Sequence, residues 1–309
     1  MGHGRWDAST WARYAARTTT GKSASEIFSA RGMGDQFDPA RIAMRESRDS
    51  PENPASTAII LASDVTGSMG AIAEVMIRSG LDTTMREIHA RRPVTDPHIM
   101  VMAVGDAECD QAPLQVTQFE ADVRLAEQLK SLWIEGGGGG NAGESYHLPW
   151  YFAATRTSID CLEKRGKKGY LFTIGDEPIL GGISQRNLGR VFGAGEGRDL
   201  SSADMLAMAS RNYDVFHIVL TGVGHAAGRL DDVMRTWRPL LGQNVIPCDD
   251  HTKIAEVVVS TIQVAEGADA TSVAHTWSGS TAATVQLAVR SLVPASPPER
   301  RGLVHYFSR

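Results

Sequence analysis

The sequence predicts an α/β protein with a doubly wound, mainly parallel sheet covered by helices on both faces, plus N- and C-terminal extensions. Three observations carry this. Ala58-Ile59-Ile60-Leu61-Ala62 is a continuous apolar run of strand length, the pattern of a strand buried on both faces. Further strand-like runs occur at His98–Val104, Gly169–Ile174, Val215–Leu220 and Asn244–Pro247. Stretches with helical spacing separate most of them, and strand–helix–strand alternation implies right-handed crossovers in a parallel sheet.

Residues 1–56 are polar and form the N-terminal extension, with short helices expected at Ala8–Ala16 and Ser23–Ala30. Arg45–Ser50, followed by Pro51 and Pro54, reads as an exposed loop with a solvated run of charge. The first strand ends at Asp64, and a helix is expected from Met69 to about His89, with Ile72, Val75, Met85 and Ile88 on its apolar side. His98–Val104 and Leu114–Phe119 are separated only by a loop, so they are expected to pair antiparallel. A helix follows over Glu120–Trp133, then the glycine run Gly136–Gly140. The next helix is expected over Glu144–Arg165, where Pro149 is tolerable only in the early turns. Residues 180–213 form a glycine-rich insert with a helix around Ser201–Ser210. A helix over His251–Ala265 closes a main domain placed at 57–265. Residues 266–309 read as a polar tail with one helix, Ala282–Leu292.

Composition excludes several functions. Of 309 residues, 42% are hydrophobic and 22% charged, which fits a globular chain with a core and rules out collagen-like, coiled-coil and largely disordered readings. The net charge of −5, without a basic patch, argues against a general nucleic-acid binder. Met1–Asp7 has no apolar core of a secretory signal, and no run of 18 apolar residues offers a membrane span. Cys109, Cys161 and Cys248 are odd in number and far apart, giving no disulfide or zinc framework. A cytoplasmic location is the expectation.

In open parallel sheets, ligands bind beyond the carboxyl ends of the strands. Strand one ends in Asp64-Val65-Thr66-Gly67-Ser68, strand two in Gly105-Asp106 and strand four in Gly175-Asp176-Glu177. Gly136–Gly140, with Asn141 and Glu144 after it, feeds a helix start on the same rim. Carboxylates of Asp64 and Asp176 and hydroxyls of Thr66 and Ser68 therefore converge, a hard-oxygen set that suits Mg²⁺ or Mn²⁺ better than zinc. Gly67 lets the backbone pass close, and Ser68 is placed to cap the next helix. Asp106 is expected to be a loop carboxylate or to orient a ligand without binding the ion itself. Met69, Met76 and Met85 are expected in the core.

Asp64-Val65-Thr66-Gly67-Ser68-Met69 resembles the D-x-[ST]-G-S-M signature of von Willebrand factor A-type (vWA) domains, a Rossmann-like family, and their metal-ion-dependent adhesion site. Gly138-Gly139-Gly140-Asn141-Ala142-Gly143-Glu144 is similar to that family's second loop, G-G-G-D-x-P-E, and Thr173-Ile174-Gly175-Asp176-Glu177-Pro178 to its third, T-D-G-x-P. The likeness runs in order over roughly residues 56–265. Two positions differ: Asn141 stands where a threonine ligand is common, and Gly-Asp replaces Asp-Gly. The resemblance implies a Mg²⁺ (or Mn²⁺) held by Asp64, Thr66, Ser68, Asn141 and Asp176. It also implies a partner protein whose Asp or Glu completes the ion's coordination, no catalysis, and an adaptor or assembly role, with a MoxR-class AAA+ ATPase system as one such setting. No nucleic acid or membrane partner is expected.

Two other readings compete. Gly222-Val223-Gly224-His225-Ala226-Ala227-Gly228 follows a strand and resembles a dinucleotide loop, with Asp249 as ribose contact, which would make the chain an NAD(P)-binding oxidoreductase. Alternatively, the ion merely braces the rim of a structural subunit. Gly21-Lys22-Ser23 lacks the preceding strand and earlier glycine of a phosphate loop. The nine histidines form no H-E-x-x-H pairing.

Overall fold

A computed structural model describes residues 4–136, 143–193 and 197–292, with Ser68 described by its backbone alone. Six strands form the central sheet: β1 (Thr57–Asp64), β2 (Pro97–Val104), β3 (Leu114–Val116), β4 (Gly169–Gly175), β5 (Tyr213–Leu220) and β6 (Val245–Cys248). Their spatial order is β6-β5-β4-β1-β2-β3, all parallel except β3, which runs antiparallel to β2 as its short connection demands. The protein is therefore α/β with a mainly parallel sheet and helices on both faces.

Every residue of β1 and β2 is buried, which is why their sequences are apolar without alternation. The two faces still sort by the two-residue period of a strand. Ile59 and Leu61 pack into one core with the helices Leu81–Arg91, Ile254–Ala265 and Gly279–Val289, while Ala58, Ile60 and Ala62 pack into a second core with His147–Thr155, Ser202–Ala209 and Ala226–Leu241. Chain order passes from β1 outward to β2 and β3, then returns to β4 on the other side of β1. The carboxyl ends of β1 and β4 thus flank the point where the winding reverses, the usual place for a ligand crevice.

The helix expected after β1 runs as Gly70–Val75, then a wider turn at Met76–Gly80, then Leu81–Arg91. At the N-terminus, Ala8–Thr18 is capped by Asp7, whose side chain accepts from the Thr10 N–H, and Tyr14 donates across to the Ala126 carbonyl at 3.0 Å. Beyond residue 265, Ala270–His275 and Gly279–Val289 add Val273, Val285 and Val289 to the core around Ile254–Val264. The last helix begins three residues earlier than its apolar pattern suggests.

Three expectations need correction. The single helix over Glu144–Arg165 is instead the helix His147–Thr155, a strand at Thr157–Ile159 and a short helix at Asp160–Glu163. The break falls at Arg156, whose guanidinium donates to the carbonyls of Pro39, Ile42 and Phe192 and ties the chain to segments far away in sequence. Arg45–Ser50 is not a solvated loop: Arg45–Ser47 pairs in parallel with Thr157–Ile159. Arg48 bridges Asp160 (2.9 Å) and Glu163 (2.6 Å), and Asp49 meets Arg165 at 2.8 Å, so charges that read as solvated cancel against one another. The expected helix Glu120–Trp133 shrinks to Arg124–Lys130, because Glu120 exchanges both backbone hydrogen bonds with Ile99 of β2.

Candidate functional site

Asp64 is the last residue of β1, only 1% exposed, and it organises the loop that follows. Its Oδ1 accepts from the Thr66 N–H (2.7 Å) and from Thr66 Oγ1 (2.8 Å). Gly67 then takes φ +45°, a left-handed turn that a side chain would strain, and starts the short helical turn Gly67–Met69. The Ser68 backbone lies in that turn, at the head of the helix that starts at Gly70.

Two groups close on Asp64 from the segment after the glycine run. Tyr146, fully buried, donates its hydroxyl to Asp64 Oδ2 at 3.0 Å. Glu144 Oε1 lies 3.2 Å from Thr66 Oγ1, whose one proton goes to Asp64, so the hydroxyl sits between two carboxyl groups. Gly175 is what lets Tyr146 reach this point, since a Cβ there would fall 1.9 Å from the tyrosine oxygen. Glu144 is held by its backbone: its N–H donates to the Pro178 carbonyl (3.0 Å) and its own carbonyl accepts from Leu180 N–H (3.1 Å). The chain at Glu144 is thereby locked to the loop after β4.

Asp176, just past β4, is also buried, and its Oδ2 accepts from the His225 N–H at the start of the helix Ala226–Leu241. Asp106 follows β2 and accepts from the Cys109 N–H (3.0 Å), while its own N–H donates to Asp110 Oδ2 (2.6 Å). Arg190, from the insert, donates to the carbonyls of Ala107 and Asp110 and fastens that loop. Asp106 thus organises its own loop, the part foreseen for it. Asn141 lies outside the described residues.

The electrostatics of this rim are those of crowded acids. Burial, with the neighbouring Asp176 charge, pushes the Asp64 carboxyl up to about 7 against the hydrogen bonds from Thr66. Burial, then the charges of Asp64, Glu177, Asp110 and Asp106, pushes Glu144 up to about 9. Burial also raises Asp176 and Glu177. Glu144 Oε2 is buried with no hydrogen-bond partner among the described residues. Like-charge crowding and an orphaned carboxylate oxygen are what a hard dication resolves, so the donor chemistry of Asp64, Thr66 and Glu144 fits Mg²⁺ or Mn²⁺. Among the described residues, no three His, Cys, Asp or Glu side chains are grouped closely enough to hold an ion by themselves. Hydroxyl oxygens are therefore needed in any such set.

Sequence reasoning placed Glu144 in the second loop without assigning it to the ion. Its position as the acid of the G-G-G-D-x-P-E pattern was the available signal. Tyr146 carried no signal, because its reach depends on Gly175. The loop Gly222–Gly228 has its helix N-terminus occupied: His225 N–H already bonds Asp176, and Asp249 Oδ1 accepts from Thr284 at 2.7 Å. A pyrophosphate there would meet a carboxylate instead of free N–H groups.

No family model matches the chain, and no curated protein matches it. Among solved structures, the pilus adhesin SpaC of Lactobacillus rhamnosus GG in its open conformation aligns at 8% identity with a TM-score of 0.44, over 71% of this chain and 31% of that one. A second form of the same adhesin gives a TM-score of 0.45 over 71% and 32%. A von Willebrand factor type A protein of Catenulispora acidiphila aligns at 14% identity with a TM-score of 0.40, over 70% of this chain and 44% of that one. This chain spans about a third of the adhesin's length and under half of the Catenulispora protein's. Among the described residues, no helix is long and apolar enough to cross a membrane.

Proposed function

We propose that the chain is a metal-dependent protein-binding domain of the vWA kind, whose rim holds Mg²⁺ or Mn²⁺ and engages an acidic side chain of a partner. The observation that supports this best is the convergence of Asp64, Thr66 and Glu144 at the switch point of the sheet, with one buried carboxylate oxygen unpartnered among the described residues. Asp64, Thr66, Ser68 and Asp176 would hold the ion as the motif implies, with Glu144 added on the geometry. Asn141 remains a candidate on the sequence alone. When bound, the dication supplies positive charge and a coordination position that an exposed Asp or Glu can fill.

The chain's own residues do the rest. Thr66 offers a hydroxyl oxygen fixed between two acids, and Tyr146 orients Asp64 through its second oxygen. A single metal–carboxylate bond at a wet surface is weak, so the partner's affinity must come from contacts around it that exclude water. The insert segment tied down by Arg190 and the Asp106–Asp110 loop border the rim and are the surfaces for such contacts. An adaptor role beside an ATPase of the MoxR class, in the cytoplasm, is the setting proposed for it.

Affinity purification from the native host with Mg²⁺ or with EDTA tests the reading, with circular dichroism on the same samples. The partner should be captured with Mg²⁺ and lost in EDTA and in Thr66→Ala, while the dichroism spectrum is unchanged. A partner retained in full under all three conditions would leave any ion as a structural brace.

A further inference from the structure

At the opposite end of the sheet from the acidic rim, where β1 and β2 begin, lies a cavity of about 730 Å³. Its walls come from three separate segments: residues 5–8, the turn at Pro54–Ala55, and the stretch from Arg86 to Asp96. The volume is within the range of small-molecule sites, which run from about 300 to about 1,000 Å³. The N-terminal wall is pinned in place. Asn53 Nδ2 donates to the Gly4 carbonyl at 2.8 Å, and Trp6 Nε1 donates to Asp82 Oδ1 at 2.9 Å, so Arg5 is held between two anchors.

Three arginines and a histidine line this cavity against a single carboxylate, Asp96. Asp96 is largely committed: Oδ2 accepts from the Ala55 N–H at 2.9 Å, and Oδ1 lies 3.6 Å from Arg5. Arg86 uses Nε on Asp82, leaving its terminal nitrogens available. Arg92 has no side-chain hydrogen bond or ion pair among the described residues. His89 is held below its usual value by burial first, with the Arg5 charge adding to it and Asp96 opposing it.

The backbone adds an independent observation. Arg92 caps the helix Leu81–Arg91 in the left-handed conformation, φ +50°, where glycine is the residue that fits without strain. Basic residues in the last helical turn, His89 and Arg91, are accounted for by the helix dipole. That account covers neither Arg5, which comes from another segment, nor an arginine kept in a glycine conformation with its guanidinium unpaired. Strain retained at a cavity wall is a reason to look for a ligand there.

We infer that this cavity binds a phosphate-bearing small molecule with a flat apolar part, its phosphate among Arg5, Arg86 and Arg92 and its ring against Trp6. Arg5 and Arg86 each meet one carboxylate, Asp96 and Asp82, and Arg92 meets none among the described residues, so guanidinium donors are left over, and together they suit a dianion with three terminal oxygens. Trp6, Ile88 and Val94 supply the apolar wall, and Trp6 is fixed by its bond to Asp82.

Isothermal titration calorimetry on the full chain in EDTA, with phenyl phosphate and separately with inorganic phosphate, tests this. Both should bind saturably, phenyl phosphate more tightly, and Trp6→Leu should remove that advantage. Arg92→Gly and Arg86→Gln should each weaken phosphate binding by about tenfold or more, the usual loss of a hydrogen bond to a charged group. Arg92→Gly should at the same time melt no lower than the wild type, since glycine relieves the strained φ; a merely structural arginine would not divide the two readouts. No saturable binding, an unchanged affinity in Arg92→Gly, or equal affinity for the two phosphates would overturn the site.

Discussion

The carboxyl ends of β1 and β4 gather Asp64, Glu144, Asp176 and Glu177, while the starting ends of β1 and β2 gather Arg5, Arg86 and Arg92 around a cavity. One rim is buried acid with raised proton affinity; the other is base that its own carboxylates only partly neutralise. In the middle of the chain, by contrast, charge is internally settled, as in the Arg48–Asp160–Glu163 cluster. The difference points to where ligands would act: the fold pairs the charges of 45–49 with those of 160–165, but pairs those at the two ends of the sheet only in part. On the proposed readings the acid end takes a cation and the basic end an anion.

The strongest way to break the comparison is through the strand that joins the two ends. Leu61 is 1% exposed in the central strand, and Leu61→Ala should cost about 2–5 kcal/mol by thermal or denaturant unfolding. Both ends should then lose ligand binding together. Separate loss would mean that the ends are not built on one cooperative core.

Next, the rim itself should respond with opposite signs in stability and in binding. Glu144→Gln replaces a buried acid that the folded chain must keep protonated at pH 8, after the unfolded chain has released its proton, so in EDTA at pH 8 it should stabilise the protein by about 1 kcal/mol or more. The same variant should bind Mn²⁺ more weakly. A fall in EDTA stability would show that the acid is satisfied as it stands. Tyr146→Phe should cost about 1 kcal/mol for the lost hydrogen bond to Asp64. It should also weaken Mn²⁺ binding by about tenfold, the lower range for losing a group that orients a ligand.

The pH profile sharpens the same point. Asp64, at about 7, and Glu144, at about 9, titrate above ordinary carboxylates, so the native state keeps protons that the unfolded chain has released. Their contribution is fully present below the unfolded carboxylate range and is lost as pH rises through those folded values. Stability in EDTA should therefore fall from about pH 4 to about pH 9, and Mg²⁺ should flatten that fall. A metal-free melting curve that does not move across this window would remove the crowding argument. The smallest effect is expected from Asp106→Ala. It loosens the loop at Glu108–Asp110 without removing a proposed ligand, and so should reduce Mn²⁺ affinity less than loss of Asp64 does.

How much of this was legible follows from where the information resides. β1 was readable because burial on both faces leaves a continuous apolar run, and Asp64 was readable because it ends that run. The segment 144–165 was misread because its helical composition is interrupted by contacts of Arg156 with Pro39, Ile42 and Phe192, which no local pattern encodes. Arg45–Ser50 looked solvated because its counter-charges lie more than a hundred residues away. At the site, motif spacing led to Asp64, Thr66 and Asp176, yet the Glu144–Thr66 contact and the Tyr146 bond arise from a glycine at 175 and a backbone lock to Pro178. The basic cavity was invisible for the same reason, since residues 5, 86 and 92 share no local pattern.

The central claim is that the acidic rim holds a dication through Asp64, and titration of Mn²⁺ into metal-free wild type and Asp64→Ala, followed by calorimetry in one buffer, tests it most directly. The wild type should bind one equivalent saturably, and Asp64→Ala, checked as folded by circular dichroism, should lose most of that binding. Equal affinity in the two proteins, or no binding by the wild type, would contradict the account.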